Sequence, residues 1–341
     1  MTHTSSFVWL NQYVPSGPVE PWHFSTSTRE LPDLREGQVL ARPVVFSVDP
    51  TLRGQLTGID SPIHPQVRLG AAIVGHAVAE VVESRADGVR PGDLVTGRFD
   101  WADLAVWPPQ EDSLSIELQQ VEAGIGTPSH ALAVLGLTGG LTAYTGMIGA
   151  GGVQAGETVV VSAAAGNVGS LAGQIAKIRG ARVIGLAGTE GKRRVLRERL
   201  GFDAALDYRA PDLAEQIRKH APDGVDLYYD NVGGSLGETV MDAMKQGARI
   251  VACGLISTFN DADSLMIDSR PLIRGALTLR FFTPLHFAGM FPAARTELTE
   301  WVREGKILPL TTERHGLEAL PGAFSGMMRG ENMGKMLVTM P

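Results

Sequence analysis

The sequence has 341 residues, of which 44% are hydrophobic and 20% charged, so it is long enough for two domains and typical of a globular rather than a disordered protein. Its 37 acidic residues exceed its 30 basic ones, and the resulting formal charge of −7 argues against nucleic acids and anionic membranes as general partners. Cys253 is the only cysteine, which excludes an intramolecular disulfide and a four-cysteine zinc site. The sequence contains no run of 18 apolar residues and no charged-then-apolar leader, so we expect a cytoplasmic protein that does not cross a membrane.

The first part of the chain has the pattern of short strands separated by turns. The strand-like segments are Gln38–Ser47, Ala71–Glu83 and Leu94–Gly97. Residues 1–130 are therefore predicted to form a compact, mostly antiparallel β domain. The strand-like segment Lys335–Thr339 is expected to rejoin it, so this domain would consist of residues 1–130 plus about 300–341.

From about residue 131, strands and helices alternate along the chain. The candidate strands are Thr158–Ser162, Arg182–Ala187, Ala204–Asp207, Val225–Asp230, Ala248–Cys253 and Leu277–Phe282. Helical spacing occurs at Val168–Arg179, Gly191–Leu200 and Ala293–Glu304. Nearly all-apolar strands are expected where helices cover both faces of a sheet. The fold class is therefore predicted as α/β, with a doubly wound parallel sheet of the Rossmann type over residues 131–299 and a second β domain.

A glycine-containing turn joins the first of these strands to the first helix. Gly166 and Gly169 occupy the second and third glycine positions of a dinucleotide-binding fingerprint, and Ala164 replaces the first. A residue without Cβ at 166 would let the backbone approach a pyrophosphate, and Gly169 would let the helix pack close to the strand. A tight strand-to-helix turn without a ligand is the alternative interpretation, but the strand, the helix and the later alternation favour a cofactor site.

The end of the second strand favours NADP over NAD. An NAD enzyme usually has an acidic residue there to bind the ribose hydroxyls, whereas this chain has Ala187-Gly-Thr189. Lys192, Arg193 and Arg194 follow at once, where a 2′-phosphate would lie. The alternative is a solvated basic patch, although basic residues in the first turn of a helix oppose its dipole.

Six segments together resemble one protein family over almost the whole chain. They are Ser47–Gly54, Gly136–Tyr144, Ala163–Ser170, Asp230–Gly234, Cys253–Asn260 and Glu331–Lys335. The chain resembles the zinc-independent branch of the medium-chain dehydrogenases/reductases. That branch contains prostaglandin and leukotriene reductases, plant double-bond reductases and bacterial curcumin-type reductases. The resemblance implies a GroES-like fold for the β domain, NADP(H) as cofactor and a homodimer.

The resemblance also implies roles for individual residues. The pyrophosphate would be contacted by the turn and the start of the helix, namely Gly166, Asn167, Val168, Gly169 and Ser170. The 2′-phosphate would be contacted by Lys192 and Tyr208. The adenosine and nicotinamide halves would be lined by Asn231, Cys253, Gly254, Leu255, Ile256, Ser257, Thr258 and Phe259. The nicotinamide carboxamide would lie near Phe281, Phe282 and Thr283, and Asn332 would reach the cofactor from the tail. The alternatives are a half-buried strand-end aromatic for Tyr208 and turn formers for Asn231 and Asn332.

The sequence predicts no metal. Zinc-binding relatives use cysteine and histidine ligands and a Gly-His-Glu element, whereas this chain has Gly75-His76-Ala77 without an accompanying thiol. His76 is therefore interpreted as a structural strand residue.

For the reaction, the resemblance implies reduction of a carbon–carbon double bond conjugated to a carbonyl in a small-molecule substrate. The pocket would include Asp49, Thr51, Arg53 and Phe259, with loops around residues 51–66 and 257–272. Thr51 and Phe259 replace two tyrosines of the family, and a phenylalanine cannot donate a hydrogen bond. The catalytic group is unknown, with Tyr144 and Thr51 as the only candidates. A quinone reductase and an NADPH-binding sensor or structural protein are the alternatives to an enone reductase.

Overall fold

The computed structural model describes residues 3–59, 65–110, 117–260 and 268–341. The chain divides into two compact units, Met1–Leu132 with Thr311–Pro341, and Ala133–Leu310. Residues 60–64 and 261–267 of the two expected pocket loops lie outside the described residues.

The strands and helices have the following bounds. The strands are β1 (His3–Leu10), β2 (Phe24–Leu31), β3 (Val39–Ser47), β4 (Val74–Ser84), β5 (Leu94–Asp100), β6 (Ala105–Trp107), β7 (Gln119–Gln120), β8 (Thr158–Val161), β9 (Arg182–Leu186), β10 (Ala204–Leu206), β11 (Val225–Asp230), β12 (Met244–Ala252), β13 (Thr278–Phe281), β14 (Thr311–His315) and β15 (Lys335–Thr339). The α-helices are α1 (Leu52–Gln55), α2 (Pro128–Leu135), α3 (Thr142–Tyr144), α4 (Asn167–Ile178), α5 (Glu190–Glu198), α6 (Leu213–His220), α7 (Ser235–Met241), α8 (Ser269–Gly275), α9 (Phe291–Arg303) and α10 (Ala319–Met328).

The first unit is built on a mostly antiparallel sheet. Its strand order is β14-β15-β3-β4-β5-β7, with β6 paired to β3, and only the β14–β15 pair is parallel. Strands β1 and β2 form a separate antiparallel pair. Large buried side chains fill this unit, among them Phe46, Trp101 and Phe324, the last of which comes from α10. The predicted second, antiparallel β domain is confirmed.

The second unit is built on a six-stranded parallel sheet in the order β10-β9-β8-β11-β12-β13. All six residues of β11 and the last three of β8 are buried, as expected for strands covered by helices on both faces. The predicted doubly wound sheet is therefore confirmed. Strand β12 begins four residues earlier than predicted, because its start includes exposed polar residues such as Lys245 and Gln246 that lack the apolar pattern.

One helical stretch among the described residues, Pro128–Ala150, is long and apolar enough to cross a membrane by composition alone. However, 78% of its most apolar window is buried inside the protein, which is typical of a core helix. The glycines and threonines within it explain why no continuous apolar run is visible in the sequence.

Candidate functional site

The turn between β8 and α4 is shaped by close backbone packing. A Cβ on Gly169 would lie 2.5 Å from the carbonyl oxygen of Ala163, so only glycine lets the helix start this close to the strand. A Cβ on Gly166 would meet only that same oxygen, at 3.2 Å. The left-handed position of the turn is Ala163, with φ of 46°, which costs a non-glycine residue about 1–2 kcal/mol. The sequence pattern did not identify this position, since it placed the substituted first glycine at Ala164.

The first turn of α4 offers hydrogen-bond donors. An α-helix leaves its first N–H groups without an intrahelical acceptor, and here these belong to Asn167, Val168 and Gly169. The Asn167 side chain donates to the Ala133 carbonyl at 3.0 Å, which anchors the helix start. Ser170 is 1% exposed, its amide donates to Gly166 and its hydroxyl to the Asn167 carbonyl. The donors that this turn could offer to a phosphate are therefore the main-chain N–H groups of residues 167–169, whereas the Ser170 hydroxyl is already bonded within the helix.

Two cations meet beyond the end of β9. Lys192 lies in the first turn of α5, and burial together with the nearby charge of Arg209 lowers the pKa of its ammonium group. The Arg209 guanidinium lies over the Tyr208 ring, 4.9 Å from its centroid, and donates to the Gly188 carbonyl at 3.2 Å. A Cβ on Gly188 would lie 2.9 Å from the Tyr208 ring, so glycine there makes room for the pair. Two such cations could together hold a phosphate group, and they are called the Lys192–Arg209 pocket below.

Arg193, which follows Lys192 in the basic cluster of the sequence, is bonded to acceptors within the protein. Its guanidinium donates to Asp207 at 2.8 Å, to Glu190 at 3.1 Å and to the Ala187 carbonyl at 3.1 Å. Arg193 therefore joins α5 to the ends of β9 and β10. Sequence reasoning missed Arg209, although its position directly after Tyr208 at the end of the third strand was a usable signal.

The end of β11 is bonded to the end of β8. The main-chain N–H of Asn231 donates to the Ser162 hydroxyl, and its side-chain amide donates to the Ser162 carbonyl, both at 2.8 Å. Because the carboxyl ends of parallel strands form the ligand-binding edge of such sheets, Asn231 lies where a dinucleotide would pass. Its amide nitrogen is already bonded within the protein, so its side-chain oxygen is the atom that could accept from a ligand.

The segment after β12 runs along the same edge. Ile256–Thr258 form a single 3-10 turn, with Ser257 donating to the Val232 carbonyl at 2.7 Å and Thr258 to the Leu255 carbonyl at 2.8 Å. Phe259 follows and is partly exposed. The hydroxyls of Ser257 and Thr258 are thus bonded within the protein. Phe259 has no hydroxyl that could donate to a ligand.

The single thiol of the chain lies at the start of this segment. Burial raises the pKa of Cys253 to about 12 and outweighs the opposing effect of a hydrogen bond with the Tyr229 phenol. Cys253 is therefore a protonated thiol at neutral pH.

The end of β13 presents aromatic side chains. Phe281 is 53% exposed, while Phe282 packs edge-on against Phe287 with ring centroids 6.1 Å apart. The Thr283 hydroxyl accepts from the Leu285 amide at 3.4 Å and begins the next 3-10 turn.

Tyr144, one of the two candidates for a proton donor, is 3% exposed. Its hydroxyl donates to Glu297 at 3.0 Å, and its ring lies 6.1 Å from that of Trp301. Burial, followed by the hydrogen bond and charge of Glu297, raises its pKa to about 12. The phenol therefore joins α3 to α9.

In the first unit, the expected pocket residues differ in exposure. Thr51 is exposed, whereas Asp49 is 7% exposed and Arg53 fully buried, with its guanidinium donating to the Gly17 carbonyl at 3.0 Å. The Asp49 carboxylate accepts from Lys335 at 2.6 Å and from Ser47 at 2.7 Å. Burial alone would raise the pKa of Asp49, but Lys335, His76 and Ser47 together lower it to about 2.

The remaining predicted residues of this unit also make internal contacts. Asn332 donates to the Gly334 carbonyl at 2.7 Å and so stabilises the turn before β15. His76 lies on β4 opposite Arg98. Within the described residues, no three His, Cys, Asp or Glu side chains come together in a group that could hold a metal ion.

The second unit as described fits a phosphorylated dinucleotide. The main-chain donors of residues 167–169 suit a pyrophosphate, and the Lys192–Arg209 pocket suits a further phosphate at the end of the second strand. The space beside the Gly166 main chain, which a pyrophosphate could approach, stays open because glycine has no Cβ to fill it.

Comparisons with known proteins identify relatives over the whole chain. The family models that match are the N-terminal domain of oxidoreductase, over residues 8–114, and zinc-binding dehydrogenase, over residues 167–299. NADPH-dependent curcumin reductase of Escherichia coli (strain K12) is 36% identical over 338 residues, 97% of this chain and 95% of that protein. Prostaglandin reductase 1 of Mus musculus is 38% identical over 321 residues, 93% of each chain. The structure of CurA from Vibrio vulnificus in complex with NADPH matches with a TM-score of 0.87 at 33% identity, covering 98% of this chain and 99% of that one.

This chain is more than 30% identical to each of these two reductases over nearly the full length of both proteins, so all three belong to one family. The second matching family model carries the name zinc-binding dehydrogenase. The chain therefore belongs to the medium-chain dehydrogenase/reductase family, in the branch of the curcumin and prostaglandin reductases, and is an oxidoreductase whose cofactor is NADP(H).

Proposed function

We propose that this oxidoreductase reduces the carbon–carbon double bond of α,β-unsaturated ketones or aldehydes. The observation that carries the proposal is the similarity, over more than 90% of each chain, to two proteins named as a curcumin reductase and a prostaglandin reductase. This chain differs from those of the family at two pocket positions, where Thr51 and Phe259 replace tyrosines.

We further propose how the second unit holds the cofactor. The pyrophosphate lies at the first turn of α4, and the 2′-phosphate lies between Lys192 and Arg209, with Tyr208 beside it. Asn231 and the segment from Cys253 to Phe259 then line the rest of the dinucleotide. The placement is supported by the carboxyl edge of the parallel sheet, which is where such folds bind nucleotides.

When bound, NADPH would supply the hydride that the β-carbon of the substrate accepts, and a proton from water would then be added at the α-carbon to give the saturated carbonyl. The protein has to position the two molecules, exclude water and stabilise the negative charge that develops on the carbonyl oxygen. Phe259 has no hydrogen-bond donor to offer to that oxygen.

A quinone reductase is the second candidate, and the phenylalanine at position 259 favours it. Reduction of a quinone spreads the developing charge over a conjugated ring, so it depends less on one hydrogen-bond donor than reduction of an enone does.

The expected result is that the purified protein consumes NADPH with at least one open-chain enone or alkenal and does so faster than with quinones. The measurement is the initial rate of absorbance loss at the nicotinamide band with a panel of both substrate classes, and with product analysis for a saturated carbonyl. Turnover of quinones alone would select the second candidate. Binding of NADPH without turnover of either class would indicate a sensor or structural protein.

We also propose a homodimer joined through the second unit. Strand β13 ends the six-stranded sheet and has no strand partner on its outer side among the described residues. An exposed sheet edge is prone to pair with another chain, and Ile273 and Leu285 nearby are 78% and 60% exposed. Light scattering at micromolar concentration should therefore report twice the mass of the 36.3 kDa chain. A monomer under these conditions would contradict the proposal.

A further inference from the structure

Asp230 is a buried carboxylate that the proposed reaction does not use. It is the last residue of β11 and is 6% exposed. Burying a carboxylate is costly unless hydrogen bonds compensate, so its contacts indicate what it is for.

Four donors converge on one oxygen of this carboxylate, Oδ1. They are the Ser162 hydroxyl at 2.9 Å, the Tyr228 phenol at 2.8 Å, the Val232 amide at 2.9 Å and the Gly233 amide at 3.1 Å. Two of these donors belong to the turn that follows β11, and one belongs to the end of β8. The side chain therefore fixes its own turn and at the same time holds the neighbouring strand end.

Ser162 passes this constraint to Asn231. The serine hydroxyl donates to Asp230 and accepts from the Asn231 amide at 2.8 Å, which orients it in both directions. The glycine turn of the cofactor site begins at the next residue, Ala163. Asp230 is thus joined to Ser162, the residue that precedes the glycine turn, and through it to Asn231.

The main chain of Asp230 holds a third segment. Its carbonyl accepts from the Cys253 amide at 2.7 Å and from the Gly254 amide at 3.2 Å. Further along, the Ser257 hydroxyl donates to the Val232 carbonyl, so the segment is bonded to the turn that the carboxylate fixes.

We propose that Asp230 is a positioning residue, which holds the glycine turn, the turn after β11 and the segment after β12 in the arrangement that binds NADP(H). The inference rests on the cofactor placement given above. Asp230 acts through its hydrogen bonds to Ser162, which in turn holds Asn231, and to the main chain of the turn after β11.

The same strand offers a matched control at its other end. Asp226 is also buried, accepts from the Thr158 amide of β8 at 2.9 Å and forms an ion pair with Lys245. Both carboxylates therefore join β11 to β8. Asp226 does so near the amino end of β11, away from the carboxyl edge where nucleotides bind.

The test compares Asp230→Ala with Asp226→Ala by cofactor binding in the absence of substrate. The dissociation constant for NADPH is measured by its fluorescence, and the unfolding temperature by calorimetry. Both variants should unfold at lower temperature, because each leaves buried donors without an acceptor. Asp230→Ala should weaken NADPH binding by about tenfold or more, whereas Asp226→Ala should change it by less than about twofold.

Two further variants keep the proposal falsifiable if Asp230→Ala folds poorly. Asp230→Asn retains one acceptor oxygen and should recover part of the affinity. Ser162→Ala leaves the carboxylate in place and keeps the carbonyl to which the Asn231 side chain donates, but it removes the hydroxyl that joins Asp230 to the Asn231 main-chain N–H, and it should weaken NADPH binding several-fold. Unchanged affinity in Asp230→Ala or Ser162→Ala, or an equal loss in Asp226→Ala, would show that the network is only structural. Because no substrate is present, these results stand whether or not the protein reduces enones.

Discussion

Replacing both Lys192 and Arg209 by alanine should remove most of the preference for NADPH over NADH. Each replacement would remove one charge-assisted hydrogen bond between the protein and the 2′-phosphate, a group that NADH lacks. Such bonds contribute about 1.5–3 kcal/mol each, so each single variant should raise the KM for NADPH by about 10- to 100-fold. The KM for NADH should barely change. Steady-state kinetics with both cofactors on the single and double variants provides the measurement.

Arg194→Ala is the matched control for this series. Arg194 lies on the same helix and is exposed, so its removal changes the net charge without changing the pocket. It should leave the ratio of kcat/KM for the two cofactors unaltered. Arg193→Ala should mainly lower the unfolding temperature, because its guanidinium is bonded to Asp207 and Glu190. Equal use of both cofactors by the natural chain, or a loss of preference in Arg194→Ala, would refute the assignment.

Replacing Phe259 by tyrosine should increase enone reduction more than quinone reduction. An enone concentrates the developing negative charge on one oxygen, and a positioned phenol should stabilise that transition state. Removing one such donor in other enzymes costs roughly 2.7–4 kcal/mol, so even partial recovery should raise kcat/KM for an enone roughly tenfold. The measurement is kcat/KM for one enone and one quinone on the natural chain and on Phe259→Tyr.

Phe259→Leu controls for the shape of the pocket, because it changes the side chain without adding a donor. It should lower both activities together or leave both unchanged. If the ratio of the two activities does not move in Phe259→Tyr, residue 259 is a packing position. The oxygen is then stabilised by a different group.

Local patterns in the sequence were sufficient to predict the parallel sheet and the turn that follows β8. Buried strands are continuous apolar runs, and the Gly166–Gly169 spacing reflects a close approach that the structure shows directly, with 2.5 Å from a Cβ on Gly169 to the Ala163 oxygen. These features depend on neighbouring residues, which is why periodicity reveals them.

Features that depend on distant pairs could not be predicted in this way. Tyr144 is bonded to Glu297, 153 residues away, and nothing near Tyr144 in the sequence indicates that its hydroxyl is already used. The role of Arg193 likewise depends on Asp207, which follows β10 and accepts a hydrogen bond from the Arg193 guanidinium. Ser162 and Asp230 are 68 residues apart, and their contact exists only because β8 and β11 are neighbours in the sheet.

The protonated state of the Cys253 thiol affects how the protein would react with electrophilic substrates. The β-carbon of a conjugated carbonyl is electrophilic and is attacked by thiolates rather than thiols. With its pKa raised to about 12, the Cys253 thiol stays protonated at neutral pH. The chain has no other cysteine, so we expect it to resist covalent modification at sulfur by the proposed substrates.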